Sequence, residues 1–347
     1  MNKMKAFLKR KNIEISVKRY AVDALGAMAQ GLFCTLLIGT ILNTIGQQAG
    51  IDYLLTIGEF ATAMAGPAMA VAIGYALQAP PLVLFSLLAV GSAANTLGGA
   101  GGPFAVLIIS VIAAEFGKAV SKETKIDIIV TPGVTIIIGV VLSSLIAPHI
   151  GTLAGWLGNL IMVSTTLRPF MMGIIVAVLV GIALTLPISS AAICAGLGLI
   201  GLAGGAAVAG CCAQMVGFAV MSFYENRWGG LISQGIGTSM LQMGNIVKNP
   251  RIWIPPIICS AITGPIATCI FKLEMNGSPV SSGMGTCGLV GQIGVYSGWV
   301  ADGKSITAFD WIGLILICFI LPAVICTIIC KIERKIGWIK PGDLKLN

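Results

Sequence analysis

Apolar runs long enough to cross a hydrocarbon core of roughly 30 Å follow one another along nearly the whole chain. A segment in lipid must satisfy its own backbone, which leaves α-helices or a closed β-barrel. The runs lack the period-two alternation of barrel strands, so helices are expected. Composition agrees: 56% of the residues are hydrophobic and 10% charged, where a soluble domain carries about 25% charged residues. The chain therefore reads as an all-α polytopic membrane protein with about ten transmembrane helices. The spans are predicted near residues 24–46, 54–77, 81–97, 103–121, 128–147, 169–186, 187–203, 205–224, 251–271 and 307–330.

The formal net charge of +8 would suit a nucleic-acid partner if it formed a patch. It lies beside the apolar runs instead. Lys3, Lys5, Lys9, Arg10, Lys11, Lys18 and Arg19 precede the first span, and Lys331, Arg334, Lys335, Lys340 and Lys345 follow the last. With the N-terminus inside, every one of the 21 cations except Arg168, Lys272 and Lys304 falls on the inner side. Basic residues mark the cytoplasmic face, which predicts a multi-pass protein of the cytoplasmic membrane with both termini inside and no nucleic-acid partner. No small-residue cleavage site follows the first run, so that span is expected to be retained.

Three stretches break the pattern. Residues 150–168, with Trp156 and Arg168, read as an amphipathic helix at the outer interface. Residues 226–250 are rich in glycine and amides, with Gln234, Gln242, Asn245 and Asn249. Residues 276–298 carry seven glycines and several hydroxyls but no charge. At membrane depth such a segment must line a cavity or lie inside protein. The 45 glycines cluster at 98–104, 196–210 and 276–298, which fits either close helix packing or broken helices. In transporters, broken helices occupy matching places in two halves and expose backbone groups to the solute. The best pair is 185–192, where Pro187 interrupts a helix beside Ser189 and Ser190, and 276–298.

Amides and hydroxyls both donate and accept, which suits a neutral, sugar-like solute. The expected polar lining is Ser189, Ser190, Gln214, Asn245, Ser281, Ser282, Thr286 and Gln292, with backbone groups of Gly283 and Gly285. Glu225, Asn226, Arg227 and Arg251 are expected to face a cytoplasmic partner. Trp228 and Trp253 suit either a sugar face or an interface anchor. Glu59 and Glu115 are carboxylates in apolar context, and Lys118 at i+3 offers Glu115 an ion pair. The ten cysteines form no CxxC pair and read as small hydrophobes. His149 is the one histidine, and no acid, cysteine or histidine cluster has ligand spacing. No P-loop is present. No cofactor, metal or catalytic residue is expected.

The stretches TLPISSAAICAGLGL (185–199), KNPRIWIPP (248–256), ITGPIATCIFKLE (262–274) and SGMGTCGLVGQIG (282–294) resemble the enzyme IIC-like proteins of the phosphotransferase system. The resemblance is to the branch that includes the perfringolysin O regulator, and it runs from about residue 12 to 335. It implies a homodimer of ten-span subunits. Each would have a basic N-terminal segment (1–19), a scaffold half (20–168), a transport half (169–331) with re-entrant hairpins near 187–200 and 276–298, and a cytoplasmic tail (332–347). It also implies a sugar carried by alternating access and handed to separate IIB and IIA proteins. Two departures stand out. Glucose-class relatives carry a Gly-Ile-Thr-Glu signature in the second hairpin, where this chain reads GMGTCGLVGQ, and they use a histidine in the transport half that is missing here. Neither a IIA nor a IIB domain is expected in the short segments outside the spans. Sugar translocation, solute sensing without phosphorylation, and ion-coupled transport through Glu59 or Glu115 all remain open on these residues.

Overall fold

The apolar runs are helical in the computed structural model, which describes residues 3–346, and no strand occurs among the described residues. The chain is a polytopic all-helical membrane protein. Its contacts divide it into two units, Met1–Leu153 and Ala154–Asn347.

In the first unit a short basic helix, α1 (Lys3–Arg10), precedes α2 (Arg19–Ala49). Helices α3 (Asp52–Ala63) and α4 (Ala65–Ala76) meet at Met64 with a bend of 47°. Pro67 in the first turn of α4 has no amide to continue the ladder across that joint. The next span pair is α5 (Pro81–Gly98) and α6 (Gly102–Val120), each opened by a proline in its first turn. They fold back on each other at Gly99–Gly101, and Ala105 lies against Gly98. Lys118 on α6 is buried, and its ammonium donates to Asn12 O at 2.7 Å, Leu77 O at 3.1 Å and Glu115 at 2.9 Å. All three protons are thereby placed. Glu115 also accepts from Tyr20 at 3.1 Å, so the ion-pair reading of this carboxylate holds. Glu59 is exposed on α3.

Helix α7 (Asp127–Thr165) is continuous through Pro132 and Pro148, and the boundary between units falls inside it. Its 39 residues make roughly 58 Å, about twice the hydrocarbon thickness. Residues 150–168 are therefore mostly an extension of the preceding helix, not a separate interfacial one. His149 is exposed within it.

The second unit is built around one helix. After α8 (Pro169–Thr185) the chain forms α9 (Ser190–Leu197), and then α10 (Gly201–Met221). Every residue of α10 from Ala203 to Ala219 is buried, against α8, α13 (Pro250–Ile270) and α15 (Ala308–Lys335). Its small side chains allow this: Gly210 meets the backbone of Ala177 on α8, and Gly217 meets Cys326 Sγ on α15. Between α10 and α13 lie α11 (Phe223–Ile232), kinked at Arg227, and α12 (Met243–Lys248). Between α13 and α15 lie an irregular stretch and α14 (Val290–Ala301).

The eight residues of α9 span only about 12 Å. The expected seventh crossing, 187–203, is thus not a span. Helix α8 stops two residues before Pro187, as a proline dictates. Ser189 caps α9 by accepting from Ala192 N at 3.1 Å, and Gly198 ends it in a left-handed conformation.

Candidate functional site

The two broken segments picked out by their proline and glycine content meet. Ser190 Oγ donates to Gly283 O at 2.7 Å, and Ser282 Oγ donates to Leu199 O at 2.6 Å. Gly201 and Met275 exchange backbone hydrogen bonds of 3.0 Å in both directions. Only glycine fits at the contact. A Cβ on Gly283 would lie 2.6 Å from the carbonyl of Ser190, and Gly285 combines a φ of +53° with contact against Cys211. Ser190, Ser282 and Gly283, expected to line a solute path, tie one segment to the other in this arrangement, and Gly285 packs on α10. Ser281 is buried against Gly294.

The second segment then wraps α10 at residues 211–215. Thr286 Oγ1 points at Met215 Sδ at 3.5 Å, and Gln292 Nε2 faces Cys212 Sγ at 3.2 Å. The other end of the Gln292 amide, Oε1, is buried with no partner. Sulfur is a weak acceptor, so this amide is poorly satisfied at both ends.

Within the same turn of α10, Gln214 is fully buried. Its Oε1 accepts from Trp253 Nε1 at 2.8 Å and Thr185 Oγ1 at 3.2 Å, and Thr185 lies 2.8 Å from Ser239 Oγ. An indole N–H can only donate, which fixes the orientation of the amide. That leaves Gln214 Nε2 buried without an acceptor. An unmet buried polar atom of this kind costs about 1–3 kcal/mol. Thr185, Ser239 and the hydrogen-bonding role of Trp253 were not evident in the sequence. Nothing in their local pattern shows that α8, α13 and the turn before α12 bring them together at α10.

The amides of 226–250 form a separate network. Gln234 Nε2 donates to Ser222 Oγ, Gln242 Nε2 to Gln234 Oε1, and Asn245 Nδ2 to Gln242 Oε1, each at 2.8 Å. Asn245 therefore belongs here and not with the polar groups around α10. The segment after α15 lies over this ladder. Leu344 O accepts from Asn226 Nδ2 at 2.8 Å and Gln242 Nε2 at 2.9 Å, and Lys345 O accepts from Asn245 Nδ2 at 2.9 Å. Leu344 and Ile339 are buried beneath it. Of the residues expected to face a partner, Asn226 is covered by this strap, and Glu225 is bound to Arg334 at 2.7 Å. Arg227 and Arg251 are exposed, with the Arg251 guanidinium 5.4 Å from the ring centre of Trp338.

A family model described as "Phosphotransferase system, EIIC" matches residues 22–346. The chain belongs to this family. It is a multi-pass membrane transport subunit of the EIIC type, and its two broken segments and amide ladder all lie inside the matched region. No curated protein and no solved structure matches this EIIC chain.

Proposed function

We propose that this EIIC protein carries a small neutral polar solute, a sugar or sugar derivative, by alternating access. The observation that carries the reading is the Gln214 amide, which is fully buried, held by Trp253 and Thr185, and left with one open donor. The open Oε1 of Gln292, on another helix, is an acceptor. A polyol offers hydroxyls that both accept and donate, so it can answer each kind of open end. In the present arrangement Ser190 and Ser282 hold the broken segments closed, and solute passage requires those bonds to part. The 20–168 half serves as scaffold and the 169–331 half as carrier, in a homodimer set in the cytoplasmic membrane with both termini inside. Any phosphorylation of the solute comes from separate IIA and IIB proteins.

A thermal-shift screen of the purified protein against sugars, polyols and sugar acids tests the solute class. A ligand at a hundredfold excess over its Kd raises stability by about 2.7 kcal/mol. Gln292→Ala and Thr286→Ala should lower uptake at unchanged membrane abundance. Normal transport by both would remove this site. A solute sensor is the second reading, favoured by the absence of any carboxylate from residues 279–298. Ligand binding without flux in proteoliposomes selects it.

A further inference from the structure

We propose that residues 336–346 are a displaceable plug on a peptide-binding surface. The surface is made by Asn226, Gln242, Asn245 and Asn249, and it takes a turn-forming peptide of a partner protein, with an acidic residue followed by leucine, in the plug's place. The proposal goes beyond the solute reading and stands without it.

The first observation is that the receptor's own bonds do not run through its occupant. Each NH2 group of Gln242 and Asn245 gives one bond to the ladder and a second to a strap carbonyl. Removing the strap leaves the ladder bonds intact and frees one donor on each amide. A surface already in its binding geometry does not have to be ordered when a ligand arrives.

The second is the kind of contact made. Asn226 grips the strap at both ends of one residue, donating to Leu344 O at 2.8 Å and accepting from Leu346 N at 2.9 Å. With Gln242 and Asn245 on carbonyls, these bonds read backbone and so accept another peptide of the same shape. Two side chains carry the selectivity. Leu344 is fully buried, and the Asp343 carboxylate accepts from Asn249 Nδ2 and from Lys340 N, both at 2.8 Å. The second of these bonds closes the turn. Lys248 and Arg251 are exposed on the same segment, which favours an acidic ligand.

The third is room for exchange. Lys340, Pro341 and Gly342 are exposed, and a cavity of about 470 Å³ lies between Lys248, Asn249 and Gly342. The surface is also wired inward. The turn Ser239–Gln242 has Gln242 bonded to the strap at one end and Ser239 bonded to Thr185, next to Gln214, at the other. The strap-bound turn and the buried amide thus share one short segment.

The test uses the full chain in phosphatidylcholine nanodiscs and a fluorescein-labelled peptide with the sequence of residues 336–347. Leu344→Asp removes the buried anchor and should free the surface. The variant then binds the peptide about tenfold or more tightly than the parent, whose tethered plug competes at an effective concentration on the order of mM. Adding Asn226→Ala abolishes that gain, and a peptide with aspartate in place of its own leucine at position 344 does not bind. Equal binding by parent and Leu344→Asp, or binding indifferent to Asn226→Ala, overturns the proposal. Hydrogen exchange on the unaltered chain guards against a variant that misfolds. Amides 342–346 should exchange about a hundredfold faster than those of α10, and protection as deep as that of α10 would show a fixed structural element.

Discussion

Ser190→Ala and Ser282→Ala probe the join between the two broken segments. Each removes one buried hydrogen bond, at 2.7 Å to Gly283 O or 2.6 Å to Leu199 O, and strands the carbonyl that accepted it. Loss of a bond with an acceptor left unmet costs about 1–3 kcal/mol. For a folding unit the size of residues 154–347, each kcal/mol moves the midpoint by roughly 2–4 °C, so each variant should melt about 2–12 °C below the parent. Both bonds join the same two segments. Their effects should therefore not add, and a double-mutant cycle should return a coupling of about 0.5–3 kcal/mol. Thermal unfolding followed with a thiol-reactive fluorophore suits this region, because Cys194, Cys211 and Cys287 are buried around the join. The control is Thr166→Ala, an exposed hydroxyl bonded to Val163 O, which should shift stability by under about 0.5 kcal/mol. If the two serine variants melt with that control, or if the cycle returns no coupling, the join does not hold the segments.

Lys118→Met should cost about 3–5 kcal/mol by leaving the Glu115 carboxylate without its buried partner, seen as lost accumulation in the membrane. Glu115→Gln in the same chain should restore part of it. Trp253→Phe keeps the ring but removes the donor to Gln214, and thermal unfolding should show a loss of about 0.5–1.5 kcal/mol. The Glu123 carboxyl, in the loop after α6, is held below its ordinary range chiefly by the hydrogen bond from Lys11, with Arg10 alongside. A lowered carboxylate pKa contributes stability above the ordinary value that is lost as pH falls through the lowered one. Hydrogen exchange in α1 should therefore be unchanged at neutral pH and accelerate only below the ordinary carboxylate range. Acceleration that begins near pH 7 would rule out this carboxylate as the anchor.

Helices and breaks were legible where single residues dictate them. The apolar runs gave α2 through α6 in place, and Pro187 with the glycines around 283–291 marked both irregular segments. The role of those segments was not legible. Ser190 and Ser282 have the chemistry of solute ligands, and only the fold shows that a facing carbonyl takes each hydroxyl. The fifth span was expected to end near residue 147, yet α7 runs on through Pro148, because the ladder tolerates one missing amide where neighbouring bonds remain. The strap was invisible for a physical reason. Its acceptors are the carbonyls of Leu344 and Lys345, and a carbonyl belongs to every residue, so no side-chain pattern announces it.

Helix α10 has no face left for lipid, and one wall of its enclosure is α15, the last helix of the chain. Val208, Ala209 and Cys212 share a cluster with Leu314, Ile317 and Cys318, and Gly217 sits against Cys326. None of these contacts exists until residue 314 has been synthesised and inserted, and the last waits for residue 326. For more than a hundred residues of translation, a helix full of glycine and alanine must wait in the bilayer with one side uncovered. The second unit therefore completes its core only once α15 is in place, and a chain cut short within α15 exposes its most tightly packed helix to lipid or to the cell's quality control.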